Sequence, residues 1–197
     1  MFSLPAKNEE VKKQLQQYDH SWQWPYLWEC GVALGRWVLD HPNLVKDKLV
    51  YDLGTGQGTA LIAAKKAGAK ICIGVDCCVY AEFTLAANSD RNNVATMAYI
   101  KDIFNAKIAE NSVILASDLV YGQSTSDDIL ECLAELGEHS TVIISVSGRT
   151  NPAYEVKHPK FHHVMNYDVP CFTSGLELTE SMPVSLWTCN PLIIKDL

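Results

Sequence analysis

Apolar residues in this chain fall into short continuous runs, separated by stretches in which they recur every three or four positions. The runs at Lys48 to Leu53, Lys70 to Val75, Thr96 to Lys101, Ser112 to Ser117 and Thr141 to Val146 are β-rich and predict strands. Between most of them, Thr59 to Lys66, Val79 to Arg91 and Asp127 to Gly137 carry helical spacing. The connection from Asp102 to Asn111 has room for little more than one or two helical turns. Strands that are nearly all apolar and alternate with helices predict an α/β fold, a doubly wound and mostly parallel sheet covered on both faces. Ligands of such sheets bind outside the carboxyl ends of the strands.

The two ends of the chain depart from this rhythm. Val11, Leu15 and Tyr18 give a polar helix over residues 7 to 18 a single apolar face, and Val32, Leu34, Trp37 and Val38 predict a second helix over 31 to 40, stopped by His41-Pro42. Phe161 to Tyr167 and Val184 to Cys189 read as strands joined without a helix, so an antiparallel C-terminal pair is expected at the sheet edge. No repeat, low-complexity tract or charge block divides the sequence. A single domain over 1–197 is expected, with an N-terminal helical extension and aromatic segment over 1–42 and a Rossmann-like core over 43–197.

Composition narrows the partners. With 197 residues, 48% of them hydrophobic, the chain can bury a real core, and a formal charge of −7 argues against a broad phosphate-binding surface, so no nucleic acid is expected. No apolar run approaches the roughly 18 residues of a membrane span, and the N-terminus carries neither a signal core nor a transit pattern, so a cytoplasmic protein without membrane contact is expected. Seven cysteines with no C-x-x-C pair fit reduced thiols. His158, His162 and His163 lack a further ligand at metal spacing, so no metal is expected.

The sharpest chemical signal is Val50-Tyr-Asp-Leu-Gly-Thr-Gly-Gln-Gly-Thr59, a strand running into a glycine loop that opens a helix. Gly54, Gly56 and Gly58 allow a tight turn and a close ligand approach, with Thr55 between them. The spacing is neither the dinucleotide fingerprint nor the P-loop, no lysine follows for a phosphate, and Asp52 would repel a pyrophosphate. A ligand with a cationic end and no phosphates suits the loop, which points to S-adenosylmethionine. Asp76 ends the next strand, where a carboxylate can accept hydrogen bonds from both ribose hydroxyls. Asp102 ends the third, within reach of an adenine amino group while Ile103 packs on the ring.

Asp52-Leu-Gly-Thr-Gly-Gln-Gly58 with Asp76 and Asp102 at successive strand ends resembles the cofactor motifs of class I, seven-β-strand methyltransferases. Trp24-Pro-Tyr-Leu-Trp28, Gly31 to Pro42 and Asp118-Leu-Val-Tyr121 narrow the resemblance to the lysine methyltransferase group, and within it the chain is similar to electron-transfer flavoprotein β-subunit lysine methyltransferases and to bacterial proteins labelled nicotinamide N-methylases. The resemblance implies an S-adenosylmethionine-dependent N-methyltransferase, monomeric, acting on lysines of a protein, with Trp28 touching the cofactor. The alternatives are a small-molecule N-methyltransferase acting on a nicotinamide-like amine and a cofactor-binding module without catalysis.

Asp118 and Tyr121 follow the fourth strand and are the expected catalytic pair. A lysine amine is mostly protonated at neutral pH and must shed a proton before it can accept a methyl group. Asp118 is expected to orient the incoming ammonium, and Tyr121 to line an apolar channel that desolvates it. Ser117-Asp-Leu-Val-Tyr121 has no prolines, unlike the element with which adenine methyltransferases of the superfamily hold a base. Ser147-Gly-Arg-Thr-Asn-Pro152 keeps only Gly148 and Arg149 of the Asp-Pro-Gly-Arg type of element. Trp22, Trp24 and Tyr26 crowd the approach to the second helix, where aromatic faces attract cations.

Overall fold

The structure, a computed structural model, describes residues 2–3, 26–120, 126–148, 155–171 and 180–195. The expected helix over 7 to 18, and Trp22, Trp24, Tyr121 and Arg149, lie outside the described residues. Seven strands form one sheet: β1 (Leu49–Leu53), β2 (Ile71–Asp76), β3 (Met97–Ile100), β4 (Val113–Ser117), β5 (Thr141–Ser147), β6 (His162–Pro170) and β7 (Ser181–Thr188). The helices are α1 (Glu29–Asp40), α2 (Thr59–Lys66), α3 (Val79–Arg91), α4 (Ser126–Leu136) and the short α5 (Pro191–Lys195).

The strand order is β3-β2-β1-β4-β5-β7-β6. The first five strands pair in parallel, and β7 lies antiparallel between β5 and β6. Chain direction across the sheet therefore reverses between β1 and β4, which opens a crevice at their carboxyl ends.

Strand alternation sends side chains to two cores. Val113 and Leu115 of β4 and Ile143 of β5 meet α1 and α2 through Leu34, Trp37 and Leu61. Ile114 and Ala116, with Ile144 and Val146, meet Ile129, Leu130 and Leu133 of α4 on the opposite face. Each such side chain contributes roughly 1.5 to 3 kcal/mol when it leaves water. Because both faces are covered, β1, β4 and β5 read as continuous apolar runs, which is why the sequence located them to within a residue at either end.

The expected C-terminal antiparallel pair is present, but each strand reaches farther than the apolar pattern. Strand β6 continues through Asp168 and Pro170 because an edge strand leaves one side to water, and β7 begins at Ser181, ahead of Pro183. The short connection after β3 holds a 3-10 turn, Ile103–Asn105, and a two-residue strand, Lys107–Ile108, that pairs with Phe2–Ser3. With no helix there, Met97 and Tyr99 on edge strand β3 remain exposed.

Candidate active site

Strand β1 delivers Asp52 to the crevice one residue before its end, and the chain then turns through the glycine loop. Gly54, Gly56 and Gly58 all have positive φ, at 69°, 48° and 80°. A Cβ at Gly54 would lie 2.5 Å from Cδ2 of Leu119, and one at Gly58 would lie 2.2 Å from Cδ1 of Leu85. The positive φ favours glycine at these two positions, and a side chain there would also have to displace a leucine.

Backbone bonds stitch the loop to its neighbour. The N–H groups of Gly54 and Thr55 both donate to the carbonyl of Val75, at 2.8 and 3.2 Å, and the Gly58 N–H donates to the Thr55 carbonyl at 2.7 Å. The α2 helix begins immediately afterwards, at Thr59.

Asp52 is 1% exposed. Its Oδ2 accepts a hydrogen bond from the Thr55 hydroxyl at 2.9 Å, while Oδ1 is buried with no hydrogen-bond partner among the described residues. Burial pushes this carboxyl up to about 7; the Thr55 bond and the Leu61 backbone N–H oppose the rise, and the nearby charge of Asp76 adds to it. A buried carboxylate oxygen left without a donor is costly, and an arriving cation or N–H donor would relieve it. A cationic, phosphate-free ligand such as S-adenosylmethionine fits this donor set; a pyrophosphate does not.

Asp76 ends β2 and ties the loops together, with Oδ2 accepting from the Gly56 N–H and Oδ1 from the Cys78 N–H, both at 2.9 Å. Its carbonyl accepts from the Lys101 N–H at 2.8 Å, which brings in the third strand end. Asp102 caps the 3-10 turn, accepting from the Phe104 N–H at 3.0 Å and from Asn105 Nδ2 at 3.2 Å, and Ile103 beside it is half-buried against the core. Asp76 and Asp102 thus both act as backbone caps at the carboxyl end of the sheet.

From the other side of the crevice, Asp118 follows β4 in a left-handed conformation, φ 56°. Its N–H donates to the Ser145 carbonyl at 3.1 Å, and its Oδ1 accepts from the Ser147 hydroxyl at 3.3 Å. The next residue, Leu119, packs on Gly54, so the loops after β1 and β4 touch. Trp28 heads α1, its ring centroid 5.6 Å from that of Tyr26. The start of α1 is anchored over β5 by a bond from the Ser145 hydroxyl to the Cys30 carbonyl at 3.0 Å.

Three further polar groups, to which the sequence pattern assigns no role, lie here. Glu29, in the first turn of α1, is completely buried, as are Ser145 and Ser147 on one face of β5. The signal for the serines was present: two hydroxyls, two residues apart, at the carboxyl end of an otherwise apolar strand. Nothing in the sequence marked Glu29 as buried. Among the described residues no group of His, Cys, Asp and Glu could hold a metal ion, and no helix is long and apolar enough to cross a membrane. Cys30, Cys72 and Cys132 are buried, and Cys77 is exposed.

A sheet that changes direction beside a glycine loop, with acidic residues closing three neighbouring strands, defines a class I methyltransferase fold. A magnesium protoporphyrin IX methyltransferase from Synechocystis, solved with bound SAM, superimposes with a TM-score of 0.57 over 92% of this chain and 85% of that one, at 13% identity. The chain matches the family described as lysine methyltransferase over residues 8–162, and it belongs to that family. The electron transfer flavoprotein beta subunit lysine methyltransferase of Rattus norvegicus is 28% identical over 153 residues, 75% of this chain and 59% of that protein. A protein N-terminal and lysine N-methyltransferase of Schizosaccharomyces pombe is 28% identical over 146 residues, 65% of this chain and 56% of that one. The chain therefore spans about three-fifths of the length of these curated relatives.

Proposed function

We propose that this chain is an S-adenosylmethionine-dependent protein lysine N-methyltransferase, its residues 1–197 working as one unit. The observation that carries the reading is the buried Oδ1 of Asp52, without a hydrogen-bond partner among the described residues, beneath a glycine loop at the reversal point of the sheet. When bound, the cofactor supplies an electrophilic methyl group on a sulfonium; the protein supplies everything else. Asp52, Thr55 and the loop of Gly54, Gly56 and Gly58 hold the amino-acid end. Asp76 takes the ribose hydroxyls with lone pairs not used by Gly56 and Cys78, Asp102 and Ile103 take the adenine, and Trp28 covers the site.

Asp118 receives the lysine ammonium and aims it along the crevice, and Tyr121 desolvates it so that water can take the proton. The relatives named for the electron-transfer flavoprotein β-subunit make that protein the first substrate to try, and a surface of net charge −7 favours a lysine-rich patch. The test is tritiated methyl transfer from S-adenosylmethionine to the purified β-subunit and to a cell extract. Label in a protein band, mapped to lysine by mass spectrometry, is the expected result. Label confined to small molecules would move the assignment to amines of the nicotinamide kind, and binding without any label would leave a silent module.

A further inference from the structure

We infer that the corner of the molecule at the amino ends of β1 and β2, with the groove that leads from it along α2, docks an acidic segment of a partner protein. The inference goes beyond the activity proposed above and does not depend on it. Five of the chain's 16 lysines and arginines fall in two short segments, Lys46 and Lys48 in 46–48 and Lys65, Lys66 and Lys70 in 65–70, with Asp47 as the lone acid among them. The fold sets these segments side by side. Lys46 forms an antiparallel bridge with Ala69, the Asp47 N–H donates to the Gly68 carbonyl at 3.0 Å, and the Lys70 N–H donates to the Lys48 carbonyl at 2.9 Å.

Lys65 is accounted for locally, since its ammonium donates to the carbonyls of Ala69 at 2.9 Å and Lys70 at 2.8 Å and so closes the turn after α2. The other four make no such bond. Lys46, Lys48, Lys66 and Lys70 are exposed, and none of them makes an ion pair or a side-chain hydrogen bond among the described residues. The pairing of β1 with β2, Leu49 opposite Ile71, sets Lys48 opposite Lys70 one step earlier. Neighbouring strands lie about 4.8 Å apart, so these two positive side chains leave adjacent positions and repel one another. A bound anion would relieve that repulsion. On a chain of net charge −7, a corner of concentrated positive charge selects carboxylates from the partners that meet it.

Apolar surface beside the corner extends it into a peptide site. A groove of about 440 Å³ lies over α2, between α1 and α3. Thr59 and Lys66, the first and last residues of α2, both line it, so it runs the length of that helix, about 12 Å. Val32 and Leu39 of α1 and Ile62 of α2 supply its apolar lining, and Leu39 is exposed. Arg36 on the rim is paired with Asp40, which among the described residues leaves Lys66 as the cation where groove and corner meet. A peptide with apolar side chains in the groove and carboxylates on the lysines satisfies both surfaces. A nucleic acid does not, because it would meet leucine and isoleucine where it needs charge or an aromatic ring to stack on. The corner lies about 16 Å from the crevice, the length of the five-residue β1, so a partner held there leaves the carboxyl ends of the strands open.

The test uses the full chain and a short fluorescein-labelled peptide of repeated Glu-Glu-Leu units, read by fluorescence anisotropy. Saturable binding is expected, weaker when salt rises from about 50 to 200 mM. It should weaken about tenfold or more when Lys46→Gln, Lys48→Gln, Lys66→Gln and Lys70→Gln are combined, and severalfold in Leu39→Ser. All five changes fall on exposed side chains, so urea midpoints close to the wild-type value are expected alongside. No saturable binding to the wild type, or equal binding by the four-lysine variant, overturns the inference. Full binding in Leu39→Ser overturns the part given to the groove. An oligouridine of the same charge that binds as tightly as the peptide overturns the choice of a protein partner in favour of nucleic acid. None of these outcomes depends on whether the chain transfers a methyl group, so a failure here is distinct from a failure of the methyltransferase reading.

Discussion

Replacing Asp52 by asparagine should make the ligand-free protein more stable at neutral pH while impairing its ability to hold the cofactor. The carboxyl is buried and its ordinary value of 3.8 is pushed up to about 7. Between those two values the folded protein keeps a proton that the unfolded chain has lost, so stability falls as pH rises and levels off above about 7. Over the whole interval the loss amounts to about 4 kcal/mol at 1.36 kcal/mol per pH unit. From pH 5 to pH 8 it is about 3 kcal/mol. Asp52→Asn is nearly isosteric and neutral throughout, so it removes this slope, and the other titrations common to both proteins cancel in the difference. Urea unfolding of wild type and D52N at half-unit steps from pH 5 to 8.5, without ligand, measures that difference directly. A stability gap that widens in favour of D52N by about 2 to 4 kcal/mol up to pH 7 and is flat beyond it is the expected outcome. Parallel profiles would mean that Asp52 is solvated or paired in the folded protein, and the argument from its unpartnered oxygen would fail.

Other consequences are equally concrete. Gly58→Ala drives a methyl group into Leu85 at a positive φ; a loss of roughly 2 to 4 kcal/mol in denaturation is expected, partly recovered when Leu85→Ala is added. Trp37 is completely buried in the core beneath α1, so Trp37→Ala should cost about 3 to 5 kcal/mol, read from the urea midpoint. Asp118→Ala and Tyr121→Phe should keep the S-adenosylmethionine affinity measured by calorimetry and lose most turnover; full turnover in both would remove them from the reaction. Asp76→Ala deletes the acceptor of the Gly56 and Cys78 N–H groups, and about tenfold weaker cofactor binding is expected.

What the sequence disclosed follows from how each feature is built. Strands covered on both faces are apolar throughout, so Val113 to Ser117 and its parallel neighbours stood out. The half-covered strands did not: β6 alternates polar and apolar positions beside water, and Pro183 in β7 lacks an N–H to give. The glycine loop was legible because no other residue type meets its steric demands, and Asp52, Asp76 and Asp102 because each sits where a strand ends. Their present hydrogen bonds were not, since capping by Asp76 and Asp102 depends on backbone directions set only by the folded loops. The burial of Glu29 and the reach of Ser147 to Asp118, 29 residues away in sequence, arise from packing α1 on β5 and pairing β5 with β4.

The central claim is that the glycine loop and Asp52 hold S-adenosylmethionine, and calorimetric titration of the wild-type chain and Asp52→Asn with that compound tests it most directly. The account predicts saturable binding at one site in the wild type and at least tenfold weaker binding in D52N at pH 8, where the wild-type carboxylate is ionised. No heat of binding in the wild type, or equal affinities in the two proteins, would contradict it.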